Sequence, residues 1–176
     1  MGVLEALLAR RSVRAYSGEP VPAEKLNQVL AAGLASASGR GRQPWELLLV
    51  TNKAQLEHLS HARVAGAGML ASAGAVIVVL GNERVSDTWI EDCSIAMANM
   101  HLVASDLGLG SCWIQGRMRE AAEDVSTESY VFDALNVPAD QGLRLEAMLS
   151  LGMPKATPQG RELQDLPWEK VHDEEY

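Results

Sequence analysis

The sequence predicts an α+β or α/β protein with a small central sheet. Three observations carry that prediction. Segments with helically spaced apolar residues are interleaved with short β-branched runs. At 176 residues the chain can bury one sizeable core without disulfide or metal staples. Its 47% hydrophobic and 22% charged residues are a globular balance, not a disordered one. No repeat, low-complexity run or linker divides it, so residues 1–176 read as one domain.

Residues 3–10 place Val3, Leu4, Leu7 and Leu8 on one helical face and end in Arg10-Arg11. A second helix starts near Pro22, a residue tolerated in a first turn, and carries Leu26, Val29, Leu30 and Leu34. The loop SASGRGRQP follows, then a buried strand over 45–51 and a polar helix over about 53–63. The uncharged stretch 64–81 approaches membrane-spanning length. Its first half is rich in Ala, Gly and Ser, however, and its second half contains AVIVVL, so it reads as a short buried helix running into a strand over 75–80. Residues 90–107 are apolar around most of the helix circumference, which predicts a buried central helix, with Gly108 and Gly110 ending it as a left-handed cap would require. A third strand covers 111–115. A short helix is expected after Gly116 and another near 130–135, before Pro138, and LEAMLSLG (145–152) is the fourth strand. The tail over 154–176, rich in Pro and charge, is expected to wrap the domain or a partner.

The formal charge of −8 argues against nucleic acid as a partner, since phosphate-backbone binding requires surplus positive charge. Cys93 and Cys112 lack Cys-x-x-Cys spacing, and the pair His58 and His61 lacks further ligands, so no metal site is expected. The N-terminal charges follow the apolar run, the reverse of a secretory signal, and a cytoplasmic, non-membrane protein is expected. Against this acidic background Arg10, Arg11, Ser12 and Arg14 form a local basic cluster. Guanidinium and hydroxyl groups suit phosphate recognition, although cations are also favoured at the end of a helix. Gly108-Leu109-Gly110-Ser111-Cys112-Trp113 starts like a dinucleotide fingerprint. It has Trp113 in place of the third glycine and lies between a helix and a strand, so that reading fails. His101 reads as a hydrogen-bonded core histidine and Glu91-Asp92 as charges facing a helix N-terminus. No Ser/His/Asp or Cys/His triad is visible.

Four segments in order resemble the FMN-dependent nitroreductase family: RRSVRAY with the helix PVPAEKLNQVLAAGLAS, then RQPWELLLVTN, then EDCSIAMANMHLVASDLGLGSCWI, and finally LSLGMPKATPQGR. The resemblance spans nearly the whole chain. It implies a three-layer α/β/α form of the α+β class with a small antiparallel-type mixed sheet, and a homodimer with FMN between its subunits. By position, Arg10, Ser12 and Arg14 would contact the flavin phosphate, ribityl chain and pyrimidine edge, with Arg11 close by and Arg161 at the phosphate. Ser38, Gly39 and Gln43 would come from the partner subunit, while Trp113, Ile114, Gln115 and Gly116 would lie along the flavin. The resemblance further implies hydride transfer from NADH or NADPH, through flavin N5, to a nitroaromatic, quinone or related small oxidant by a ping-pong mechanism. The flavin carries that chemistry, and no side chain is expected to be catalytic in its own right. The alternatives on the same scaffold are a non-catalytic FMN-binding or sensor protein and a dehalogenase-like or flavin-consuming enzyme. Three features depart from the family pattern: Gly41 stands where an Asn precedes Gln-Pro-Trp, Gln159 where a Lys often precedes the tail arginine, and the small residues of VAGAGML where larger members carry an Asn and a Lys.

Overall fold

The computed structural model describes residues 2–138 and 140–176. In chain order the elements are α1 (Val3–Ala9), α2 (Ala23–Leu34), β1 (Trp45–Val50), α3 (Lys53–Leu59), β2 (Ala75–Asn82), α4 (Trp89–Asp106), β3 (Gly110–Gln115), β4 (Glu120–Ala122), β5 (Val125–Ser126), α5 (Thr127–Leu135) and β6 (Leu143–Gly152). The β-branched run anticipated over 75–80 becomes β2, an inner strand of a four-stranded sheet ordered β1-β2-β6-β3. Every pairing within it is antiparallel.

Alternation along β2 builds the layers. Ala75, Ile77 and Val79 pack with Leu26, Val29, Met97 and Met100 of α2 and α4. Val76, Val78 and Leu80 pack with Leu56 and Leu59 of α3 and Val131 and Phe132 of α5. Both faces of the sheet are therefore covered, giving three layers. The β2–β6 register slips once: Val79 faces Ala147 whereas Leu80 faces Leu145, and Glu146 is the extra residue of a bulge.

The central helix α4 is buried along one side only. Asp92, Cys93, Ala96, Met97, Met100, His101 and Ala104 are enclosed, while Ile95 remains 42% exposed and Ala98 is open to solvent. Of the two glycines expected to end the helix, Gly108 does so, at φ +73° with the Leu109 N–H returning to the Ala104 carbonyl at 2.9 Å, whereas Gly110 is already the first residue of β3. A Cβ at Gly108 would meet no atom within 4 Å. Gly108→Ala should therefore cost only the left-handed backbone penalty, about 1–2 kcal/mol, measurable as a shifted urea midpoint with an unchanged slope.

Three expectations need correcting. The helix expected after Gly116 is instead the β4–β5 hairpin, turned by Asp124 at φ +57°. EAAED is rich in helix formers, but it is too short to nucleate a helix by itself. The polar helix over 53–63 stops at Leu59, and α5 begins earlier than expected, at Thr127, where the Ser126 side chain accepts the Ser129 N–H at 3.0 Å. The tail forms only isolated turns at Leu163–Asp165 and Trp168–Lys170 and is exposed. No helix among the described residues is long and apolar enough to cross a membrane.

Candidate functional site

Residues 10–14 run extended along the outer edge of β3. Ser12 bridges Ser111 in parallel, and the Val13 N–H donates to the Ser111 carbonyl at 2.9 Å. This approach needs a glycine in the neighbouring strand, since a Cβ on Gly110 would lie 2.7 Å from Val13 Cγ1. An extended chain sends alternate side chains to opposite sides, and the basic cluster is divided accordingly. Arg10 reaches His101 on α4 and, with Ser12 and Arg14, lies near Cys112 of β3. Arg11 and Val13 turn away, into a cavity of about 200 Å³ bounded by Gly108, Gly110, Pro154 and Pro158.

The tail straps this segment from the other side. The Ser17 N–H donates to the Met153 carbonyl at 2.9 Å, the Lys155 N–H to Ala15 at 3.1 Å, and the Arg161 N–H to Leu8 at 2.8 Å. Arg161 thereby comes beside Arg10. Burial, then the charges of Arg161 and Arg11, hold the Arg10 guanidinium below its usual pKa. None of Arg10, Arg11, Arg14 or Arg161 makes an ion pair among the described residues.

Arg10 is instead held by a neutral group. Its Nη1 lies 2.8 Å from His101 Nε2, and His101 Nδ1 lies 2.5 Å from Ser111 Oγ. Arginine can only donate, so Nε2 accepts and the ring proton sits on Nδ1, donating to Ser111. Burial, reinforced by the Arg10 charge, pushes the imidazole pKa from 6.5 down to about 4. The ring stays neutral in the fold but can protonate once the chain unfolds. Stability should fall as pH drops from about 6.5 toward 4, by roughly 3 kcal/mol, and this component should level off below that. Urea unfolding at several pH values checks this, because His101→Gln should lose that component of the pH dependence and retain the part due to carboxylates.

β3 ends the sheet order, so one of its edges is free of the four-stranded sheet. The Ser111 carbonyl already points to that edge, where it meets Val13. By the two-residue period, the peptide groups of Trp113 and Gln115 point the same way. Their side chains share the α4 face, with Trp113 Nε1 donating to Gln115 Oε1 at 2.8 Å. The Ile114 side chain is buried in the core on the opposite face, leaving only its backbone near the edge. The Gly116 N–H donates to the Glu146 carbonyl at the bulge, at 3.1 Å.

Ser38, Gly39 and Gln43 lie elsewhere. Their loop contains three left-handed residues, Arg40, Gly41 and Gln43, and is closed by the Gln43 N–H donating to Ser38 Oγ at 2.9 Å. It is fastened by Asp92 at the start of α4, whose Oδ1 accepts the Gly39 N–H at 2.7 Å. Ser86 and Thr88 donate to Oδ2, each at 3.2 Å. Asp92 and His101 are nine residues apart on one helix, a rise of about 13 Å. A single chain therefore keeps this loop and the arginine face at separate stations along α4.

Three residues with roles here had weak signals in the sequence. Asp92 reads as a charge facing the helix dipole but fastens a loop. His101 reads as a core histidine but grips Arg10. Glu146 sits in an apolar strand; it is 3% exposed, and its Oε2 is 3.6 Å from Arg117 Nε. Burial raises its pKa, opposed by Arg117 and Ser94. Among the described residues no cluster of three or more His, Cys, Asp or Glu could hold a metal. His58 stacks on Tyr130 with ring centroids 5.1 Å apart, and His61 is exposed.

Known proteins resemble this chain over most of its length. The family model described as Nitroreductase family matches residues 7–67 and 55–153. A protein of Archaeoglobus fulgidus, provisionally named an NADH dehydrogenase/NAD(P)H nitroreductase, is 33% identical over 156 residues, covering 86% of this chain and 85% of that protein. A Methanothermobacter thermautotrophicus protein with the same provisional name is 36% identical over 115 residues, covering 64% of this chain and 60% of that one. Among solved structures, an FMN-dependent nitroreductase from Clostridium difficile superposes with a TM-score of 0.94 at 35% identity, covering 98% of this chain and 99% of that one.

Proposed function

Because the chain belongs to the nitroreductase family, we propose that it is an FMN-dependent oxidoreductase. It would take hydride from NADH or NADPH and reduce a nitroaromatic, quinone or related small oxidant. The observation that carries this reading is the approach of Arg161 to Arg10, brought together from the two ends of the chain with neither ion-paired among the described residues. Guanidiniums gathered this way repel one another unless an anion joins them, and phosphate matches their planar donors. The names of the relatives support both the flavin and the nicotinamide donor.

The donor set fits FMN. Arg10 and Arg161 would hold the phosphate, Ser12 the ribityl chain, and Arg14 the pyrimidine edge, where its fixed charge favours added negative charge. The peptide groups of Trp113 and Gln115, on the free edge of β3, would lie along the ring, with Ile114 between them and Gly116 just beyond the strand. Arg11, on the opposite side of its strand, would contribute long-range positive charge. When bound, FMN supplies the hydride transfer; the chain supplies position, charge and exclusion of water.

The site is completed by a second copy of the chain. Val3 is 71% exposed, Leu7 52% and Trp168 58%, and Ile95 is open on α4. Burying such residues against a twin gives the apolar interface expected of an obligate dimer. The Ser38, Gly39 and Gln43 loop of one copy would then cover the flavin held by the arginines of the other.

The test is steady-state oxidation of NADH or NADPH by the FMN-loaded chain with a quinone or nitroaromatic acceptor. Turnover by a species sedimenting as a dimer is expected. A folded, flavin-loaded monomer at micromolar concentration would contradict the shared site. Bound FMN without turnover would leave a flavin-binding protein.

A further inference from the structure

We propose that His101 is a positioning residue for the phosphate end of the site, a neutral acceptor that aims Arg10 without cancelling its charge. This rests on the flavin reading of that site.

An arginine can be oriented by a carboxylate or by a neutral acceptor. A carboxylate holds it firmly, but neutralises the charge that an incoming phosphate needs. The structure uses the neutral device. His101 reaches Arg10 from the far side of a 91-residue separation and is itself fixed at Nδ1 by Ser111. Ser111 is the residue whose carbonyl takes the Val13 N–H, so ring and guanidinium are referenced to the same position on β3. The charged and titratable groups around the ring are Arg10 from the extended segment, with Arg11 and Arg161 next to it, and Cys112 from β3. Burial and the Arg10 charge work against an imidazolium, and burial keeps the Cys112 thiol neutral, so it supplies no negative charge to offset them. Burial, with the Arg10 charge beside it, keeps the imidazole unprotonated, and the unprotonated imidazole keeps Arg10 in place.

The test compares FMN with riboflavin, which lacks the phosphate, in titrations of the flavin-free full chain. His101→Leu removes the acceptor and should weaken FMN about ten-fold, with riboflavin changed by less than about two-fold. His101→Gln retains a neutral acceptor and should restore most of the FMN affinity. His101→Asp retains an acceptor but cancels the charge, and should resemble His101→Leu. Equal losses for the two flavins would overturn the proposal by reducing His101 to a packing residue. Asp performing as well as Gln would overturn it by removing the need for a neutral group. If His101→Leu does not fold, the Gln–Asp comparison decides. Nitrogen NMR of the wild-type ring gives a readout independent of flavin: a neutral Nδ1–H tautomer persisting to about pH 5 is expected. An Nε2–H tautomer or an imidazolium would overturn the assignment. Failure of the wild type to bind either flavin would instead count against the flavin reading and leave the NMR result to judge the His101–Arg10 contact.

Discussion

Replacing Arg161 by alanine is expected to weaken FMN binding by about ten- to a hundred-fold and to leave riboflavin nearly unaffected. A charge-assisted contact with phosphate is typically worth about 1.5–3 kcal/mol, which corresponds to that range. The substitution is clean, because the tail is fastened by the backbone N–H of residue 161 to the Leu8 carbonyl, and alanine keeps that bond. Arg10→Ala should show a comparable loss, with an added cost in stability from leaving His101 Nε2 without its donor. Arg14→Ala should weaken both flavins, because it is assigned to the ring edge. Equal losses for FMN and riboflavin in Arg161→Ala, or no loss for either, would remove the tail from the site. Fluorescence titration of the flavin measures all three.

Asp92→Ala should be the most damaging single change outside the hydrophobic core. The carboxylate is 3% exposed and takes three hydrogen bonds, from the Gly39 N–H and the Ser86 and Thr88 hydroxyls. Removing it strands those donors, and the cost should be about 2–4 kcal/mol of unfolding free energy. It should also release the 38–43 loop and weaken both flavins together, because the loop is assigned to the ring and not to the phosphate. Asp92→Asn retains an oxygen for Gly39 and should recover most of the stability. Urea unfolding with parallel flavin titrations separates the two effects. Full stability in Asp92→Ala would mean that the loop holds its shape unaided.

Much of the scaffold is legible in the sequence because burial writes itself as periodicity. AVIVVL reads as a strand, and the structure makes it an inner one whose alternate residues feed two different cores. Gly108 had to stop a helix, and it lies in the left-handed region. The β4–β5 hairpin was illegible because its residues favour a helix locally, whereas the fold requires a reversal before α5. The arginine cluster was legible as composition but not as geometry. Only the extended backbone of 10–14, set by β3, separates Arg11 from Arg10, Ser12 and Arg14. Nothing local joins Arg10 to Arg161; that expectation came from family resemblance, and the tail strap supplies its structural basis. The roles of His101 and Asp92 were hidden for a different reason. Each side chain sits on the buried side of α4, where the helical pattern gives its direction but not the partner it meets.

The central claim is that this fold holds a flavin which a reduced nicotinamide can reduce, and the visible spectrum of the FMN-loaded protein tests it most directly. Flavin absorption is expected to bleach on anaerobic addition of NADH or NADPH, and to return when a quinone or nitroaromatic is added. A chain that stays colourless after incubation with FMN, or a bound flavin whose spectrum ignores both nicotinamides, would contradict it.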